Sequence, residues 1–315
     1  MGIELNDEKR EPPRTATRHL GFQIDLRHKV VSITQKHSAK ILKFFKRFII
    51  CAKKNGRILV KDMQRMLGLQ IWISTVFRIA RQFLTSICDA IRALGPGQKY
   101  FYPRKNRALV IRILFDLKFW QRFVKSAPKT GFNYLLGRLP QNNCLLFSDA
   151  ASLFGMGGVI MFGKEEKSKL GGIDGLFWQL TWHEWYEVVP MNCLKPGNVK
   201  INRAEFVAAL ITCETFASFC AGRYTTLAVD NYTAKAWIDS ARCPVFPFDR
   251  CAQGVHLYML EQGVKIRTKW IPSEANSLAD TCSRKTFRTL HAVHSIRGTK
   301  LRKVRPKWRR LVKFL

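Results

Sequence analysis

From position 143 onward the chain changes its periodicity, and the order of the new elements leaves few folds open. Apolar runs at 144–147, 157–162 and 178–182 have strand length and are bounded by glycine or polar residues. A helical pattern follows at 202–219, a short buried strand at 226–229, and helices at 231–240 and 249–262. A strand at 264–271 and a short helix at 273–282 complete the series. Strands first, then helix, strand, two helices, strand and helix is a mixed α/β layout, in which one mixed sheet carries helices on its faces.

The region before it is of another kind. Residues 1–19 read as a disordered lead-in, with Glu11-Pro12-Pro13 arguing against structure, and 20–33 as two short strands around a polar turn. Ile41, Leu42, Phe44, Phe45, Phe48 and Ile49 then recur at helical spacing, with lysine and arginine mostly outside the stripe. A second helical region runs from about 60 to 94, with a kink expected at Gly68 and a stop at Gly95-Pro96-Gly97. A third spans 104–125.

Charge divides the chain in the same places. The sequence holds 54 lysines and arginines against 22 acids, a net charge of +32. Residues 1–142 carry 29 basic and 8 acidic side chains, 143–284 carry 14 of each, and 285–315 carry 11 basic and none acidic. A neutral core thus lies between two basic arms, and arms of that sign attract a polyanion, nucleic acid first. No segment reaches the ~18 uncharged apolar residues of a membrane span. The nine cysteines show no Cys-x-x-Cys pair, so reduced thiols in the nucleus or cytoplasm are expected rather than structural zinc. The N-terminus lacks an apolar signal core.

Four acids stand out within the neutral core: Asp149, Glu205, Asp230 and Asp280. Each has a purely structural explanation. Asp149 fits a turn, Glu205 a capping box with Asn202, Asp230 a helix cap, and Asp280 a solvent-facing helix position. Taken together they read differently. Asp149 and Asp230 follow strand-like runs, and ligands of α/β sheets gather at the carboxyl ends of strands. Carboxylates converging there repel one another unless divalent cations neutralise them.

The strings around the acids, LLFSDAASLFGMGGVI, NRAEFVAAL, LAVDNYTAKAWI and KWIPSEANSLADTCSR, resemble the ribonuclease H domain of retroelement reverse transcriptases. The last is similar to the retrotransposon pattern I-P-x-x-x-N-x-L-A-D-x-x-S-R. Upstream, LGFQIDLRHKVVSITQKHSAKIL and GRILVKDMQRMLGLQIWIS resemble the thumb and connection that follow a polymerase palm, most closely in DIRS-type elements. The resemblance implies an α/β fold, a ribonuclease H-like mixed sheet flanked by helices over 143–284. A mainly helical, basic thumb/connection-like region over 20–142 precedes it, and a basic C-terminal tail over 285–315 follows.

For function the resemblance implies a metal-dependent endonuclease that cleaves the RNA strand of RNA–DNA hybrids. Asp149, Glu205, Asp230 and Asp280 would be its catalytic residues and would hold two Mg²⁺ ions, with Mn²⁺ as a substitute. Asn231 and Tyr232 would touch the substrate, although Asn231 equally suits the start of a helix. The Y-x-D-D motif of a polymerase is absent, so no DNA synthesis is expected, and a polymerase-bearing subunit is a partner the resemblance leaves open. The histidine that cellular ribonucleases H carry before the last acid is missing too. Two rivals remain at this level: a catalytically idle nucleic-acid-binding protein derived from a retroelement, and a transposase or integrase of the same superfamily. For 297–313 a phosphate-binding tail, a nuclear import signal and a linker are all open.

Overall fold

The computed structural model describes residues 15–27, 30–54, 56–130, 144–188, 200–221, 223–240, 243, 245, 248–262, 264–308 and 311. Contacts divide the chain into two compact units, one formed by the described residues up to 76 with 83–130, the other by 77–82 with those from 144 onward.

The first unit opens with a three-stranded antiparallel sheet of β1 (Ala16–His19), β2 (Phe22–Asp25) and β3 (Val30–Ile33). Strand β1 lies where the sequence suggests a disordered lead-in. It is held because Leu20 and Gly21 both adopt positive φ, 47° and 85°, and close a tight hairpin. Residues 1–14 of that lead-in lie outside the described residues. Helix α1 (Gln35–Lys53) buries Ile41, Phe45, Phe48 and Ala52 along one stripe, as its spacing predicts. After β4 (Ile58–Leu59), α2 (Val60–Val76) runs through Gly68 without a break. Gly68 is exposed there, and its cost in helix propensity is met by the buried Met63, Met66 and Ile73. The interruption falls instead at a 3₁₀ stretch, Arg78–Leu84, before α3 (Thr85–Arg92), β5 (Tyr100–Phe101) and α4 (Arg107–Thr130).

The second unit is built on a seven-stranded mixed sheet flanked by helices, the architecture of a ribonuclease H-like α/β fold. Its strands are β6 (Cys144–Ala151), β7 (Gly155–Met161), β8 (Gly175–Thr181), β9 (Tyr224–Val229), β10 (Lys265–Trp270), β11 (Val293–Ile296) and β12 (Thr299–Lys303). Their order is β10-β9-β6-β7-β8-β12-β11. Strands β6, β7 and β8 form an antiparallel meander, while β9 pairs parallel to β6 and β10 parallel to β9. The helices are α5 (Lys164–Lys169), α6 (Trp182–Val188), α7 (Ile201–Phe216), α8 (Tyr232–Asp239), α9 (Phe248–Glu261) and α10 (Ser277–Arg284). The short α5 and α6 are not legible in the sequence pattern.

Side chains alternate across the sheet, as strand geometry requires. Leu146, Ile160, Leu176 and Trp178 join α7 and α9 in the larger core. Val159 and Phe177 join Cys282, Ile296 and Leu301 on the α10 face, with Phe147 packed against them.

The stretch that composition marks as a basic tail is part of this unit. Strand β12 pairs parallel to β8, β11 closes the edge, and Leu301 and Leu311 are fully buried. A net-charge count hides the buried apolar residues Ile296, Leu301 and Leu311, whose burial favours docking of the segment on the sheet. Among the described residues no helix is long and apolar enough to cross a membrane.

Candidate active site

Asp149 lies inside β6, two residues before its end, and pairs in register with Gly157 of β7. The sequence places it just beyond a strand, but β6 continues to Ala151 because Ala150 and Ala151 keep the ladder with Met156 and Gly155. Asp230 directly follows β9, as expected. Glu205 projects from the first turns of α7 and is only 5% exposed.

Its capping-box reading does not hold. The helix starts at Ile201 with Lys200 as N-cap and no side-chain cap bond, and Asn202 Oδ1 accepts from Asn231 Nδ2 at 2.8 Å. This frees the Glu205 carboxylate to turn toward the sheet.

Two adjacent glycines in β7 set the depth of the site. A Cβ at Gly157 would lie 2.7 Å from both the carbonyl carbon and the Cβ of Cys282, so α10 rests on bare backbone beside Asp149. A Cβ at Gly158 would lie 2.2 Å from Thr212 Oγ1 and 2.4 Å from Trp178 Nε1, so α7 approaches just as closely from the opposite face. Glycine inside a strand marks such close approach.

The result is a cluster in which one carboxylate oxygen each of Asp149, Glu205 and Asp230 lies within 4.8 Å of the others. Neighbouring hydrogen-bond donors hold each acid in place. Ser283 Oγ donates to Asp149 Oδ2, and Ser273 Oγ donates to Asp230 Oδ2 at 3.0 Å. The Ala150 backbone N–H bonds the Glu205 carboxylate. Glu205 Oε2 and Asp230 Oδ1 are buried and have no hydrogen-bond partner among the described residues.

Burial, with repulsion from Asp149 and Asp230, pushes Glu205 up to about 9. Burial, opposed by the Ser283 bond and aided by Asp230 and Asp280, raises Asp149 to about 6. Buried carboxylates with orphaned oxygens and raised proton affinity are what a divalent oxygen-seeking cation would satisfy, so the donor set fits the expected metal.

Asp280 is not part of this close group. It sits on α10 with Oδ1 bound to Arg284 Nε at 2.6 Å, near enough to raise the proton affinity of Asp149. Asn231 caps α8, its Oδ1 accepting from Ala234 N–H at 2.9 Å, so both of its polar atoms are engaged. Tyr232 is 66% exposed and stacks on Trp270 with ring centroids 4.8 Å apart. Trp270 Nε1 donates to the Asp230 carbonyl at 2.9 Å, which ties this aromatic pair to the site.

Sequence reasoning missed Trp270, Ser273, Ser283 and the two glycines. The double glycine within a strand was a usable signal, whereas the serines carry none outside the fold.

No family model and no curated protein matches the chain. Among solved structures it is similar to ribonuclease H1 from the halophilic archaeon Halobacterium salinarum, at 17% identity over 44% of this chain and 93% of that one, with a TM-score of 0.31. It is also similar to the N-terminal ribonuclease H domain of a Mycobacterium tuberculosis protein solved as a fusion with maltose-binding protein. That match has 15% identity over 45% of this chain and 91% of that one, with a TM-score of 0.30. A third similarity is to a foamy viral protease–reverse transcriptase in complex with double-stranded DNA, at 13% identity over 88% of this chain, with a TM-score of 0.25. The chain spans 39% of that protein's length.

Proposed function

We propose that the second unit is a metal-dependent ribonuclease that cuts the RNA strand of an RNA–DNA hybrid, in a chain related to the C-terminal part of a retrotransposon reverse transcriptase. The observation that carries this reading is the convergence of Asp149, Glu205 and Asp230 within 4.8 Å, with buried oxygens left unpartnered. Residues from a strand, a helix and a strand end meet here, and a purely structural role for each would leave that meeting unexplained.

Asp149, Glu205 and Asp230, with Asp280 beside them, would hold two Mg²⁺ or Mn²⁺ ions. When bound, such a pair supplies an acidified water and neutralises charge building on the departing oxygen.

The rest is done by the chain's own residues. Ser283, Ser273 and the Ala150 N–H each fix one carboxylate, so the remaining oxygens are aimed before any ligand arrives. The exposed Tyr232 ring, backed by Trp270, offers an apolar face beside the site on which a sugar or base can pack. The basic residues of the chain supply backbone contacts, with the hybrid selected by shape and 2′-hydroxyls.

The test is cleavage of a labelled RNA–DNA hybrid by the purified chain with Mg²⁺, with duplex DNA as control. Hybrid-specific cleavage lost in Asp149→Asn and in Asp230→Asn, with circular dichroism unchanged, supports the reading. Tight hybrid binding without cleavage would make the chain an idle binding protein instead.

A further inference from the structure

We propose that Arg284 is a built-in counter-cation that holds Asp280 out of the carboxylate group, and that Asp280 joins the site only when a second divalent ion displaces this arginine. The proposal rests on the metal-site reading above and adds a mode of regulation to it.

Asp280 is the only one of the four acids predicted from sequence that lies outside the close group. Its carboxylate is turned to Arg284, one helical turn further on, with Nε and Oδ1 2.6 Å apart. Residues four apart share a helix face, and an acid placed N-terminal to a base is the favourable order.

The rest of α10 is anchored independently of this pair. Gln179 Nε2 donates to the Cys282 carbonyl at 2.7 Å, Ser283 Oγ donates to Asp149, and the helix seats on Gly157. The backbone at 280 is therefore fixed beside Asp149, and a side-chain rotation suffices to change the partner of Asp280.

The guanidinium is poised to be displaced. The Arg284 side chain is 56% exposed and that of Asp280 33%, so the pair is largely solvated and weak. Arg284 also attracts Asp149 and Asp230 at longer range, and works against the raised proton affinity of Glu205. One positive charge thus partly neutralises the whole acidic group before any ion is present. A doubly charged ion at the Asp280 side would repel the guanidinium and take over its carboxylate.

This makes a prediction opposite in sign to that of ordinary damage. Removing a residue that merely shapes a metal site weakens metal binding, whereas removing a competing cation strengthens it. The experiment counts Mn²⁺ bound to the intact chain by electron paramagnetic resonance of the free ion, without substrate. It compares wild type, Arg284→Gln, Arg284→Lys and Asp280→Asn.

Wild type should show one tighter and one weaker site. Asp280→Asn should lose the weaker one alone. Arg284→Gln should tighten the weaker site by about three- to tenfold, the scale of an exposed ion pair plus a removed like charge, and the tighter site by less, since the arginine acts on the other acids only at longer range. Arg284→Lys, which keeps the charge, should stay near wild type, and thermal melts of both variants would show that the fold is kept. A weaker site that survives Asp280→Asn, or that Arg284→Gln leaves alone or weakens, overturns the proposal while the metal-site reading stands. Absence of the tighter site in wild type overturns both.

Discussion

Glutamate 205 should destabilise the protein that carries it. Its carboxyl is buried beside two other acids, and its proton affinity rises from an ordinary 4.5 to about 9. The folded state therefore holds this proton more tightly than the unfolded chain does. The associated stability is complete below the unfolded value and is lost as pH rises from there toward the folded one. At pH 7 the gap from 4.5 is roughly 2.5 units, and at ~1.4 kcal/mol per unit the loss reaches up to about 3.5 kcal/mol.

Glu205→Gln keeps the shape, removes the titration and points an amide donor at Asp149 and Asp230. In EDTA at pH 7 the variant should melt above wild type. A unit of this size shifts about 2–4 °C per kcal/mol, which gives up to about 7–14 °C. The difference should widen between pH 5 and pH 9, because wild type loses the Glu205 contribution there and the variant has none to lose. Excess Mg²⁺ should raise the wild-type midpoint and narrow the gap, since the ion binds the ionised carboxylates only of the folded state. Calorimetric melts of both proteins at pH 5, 7 and 9, with and without Mg²⁺, measure all of this. A variant melting below wild type in EDTA, or a wild-type midpoint flat from pH 5 to 9, would refute the reasoning.

Further outcomes follow from the packing around the site. Gly157→Ala puts a Cβ 2.7 Å from Cys282. It should cost about 1–3 kcal/mol and lower single-turnover cleavage by lifting α10, as melts and hybrid cleavage would show. Leu301→Ala, in the core beneath the C-terminal hairpin, should cost about 2–4 kcal/mol in thermal melts. The double exchange Arg297→Gln with Lys300→Gln should leave the midpoint unchanged and flatten the salt dependence of hybrid binding, by a slope of ~0.9 for each phosphate no longer neutralised. Tyr232→Ala should weaken hybrid binding by about 1 kcal/mol or more and Tyr232→Phe should not, measured on the non-cleaving Asp149→Asn background.

Periodicity and short motifs are local properties, and the sequence determined what depends on them. The α1 stripe, the β6–β7–β8 meander, the later strand–helix alternation and the order Asp149, Glu205, Asp230, Asp280 are all written in neighbouring residues. Local too is the stop at the glycine-rich stretch after α3, where no helix can continue. Tertiary structure decided what depends on pairing across distance. Whether Glu205 caps its helix or faces the sheet turns on Asn202 finding Asn231 some thirty residues away. The fate of the basic C-terminus turns on β12 finding β8, a pairing that spans more than a hundred residues and that charge counting obscures. The four acids look equivalent in the sequence, yet three converge while Asp280 pairs with Arg284, on a helix whose closeness to β7 is set by one missing Cβ at Gly157. Chemistry at the site depends on differences of an ångström between elements that the chain itself places far apart, and only packing fixes distances of that kind.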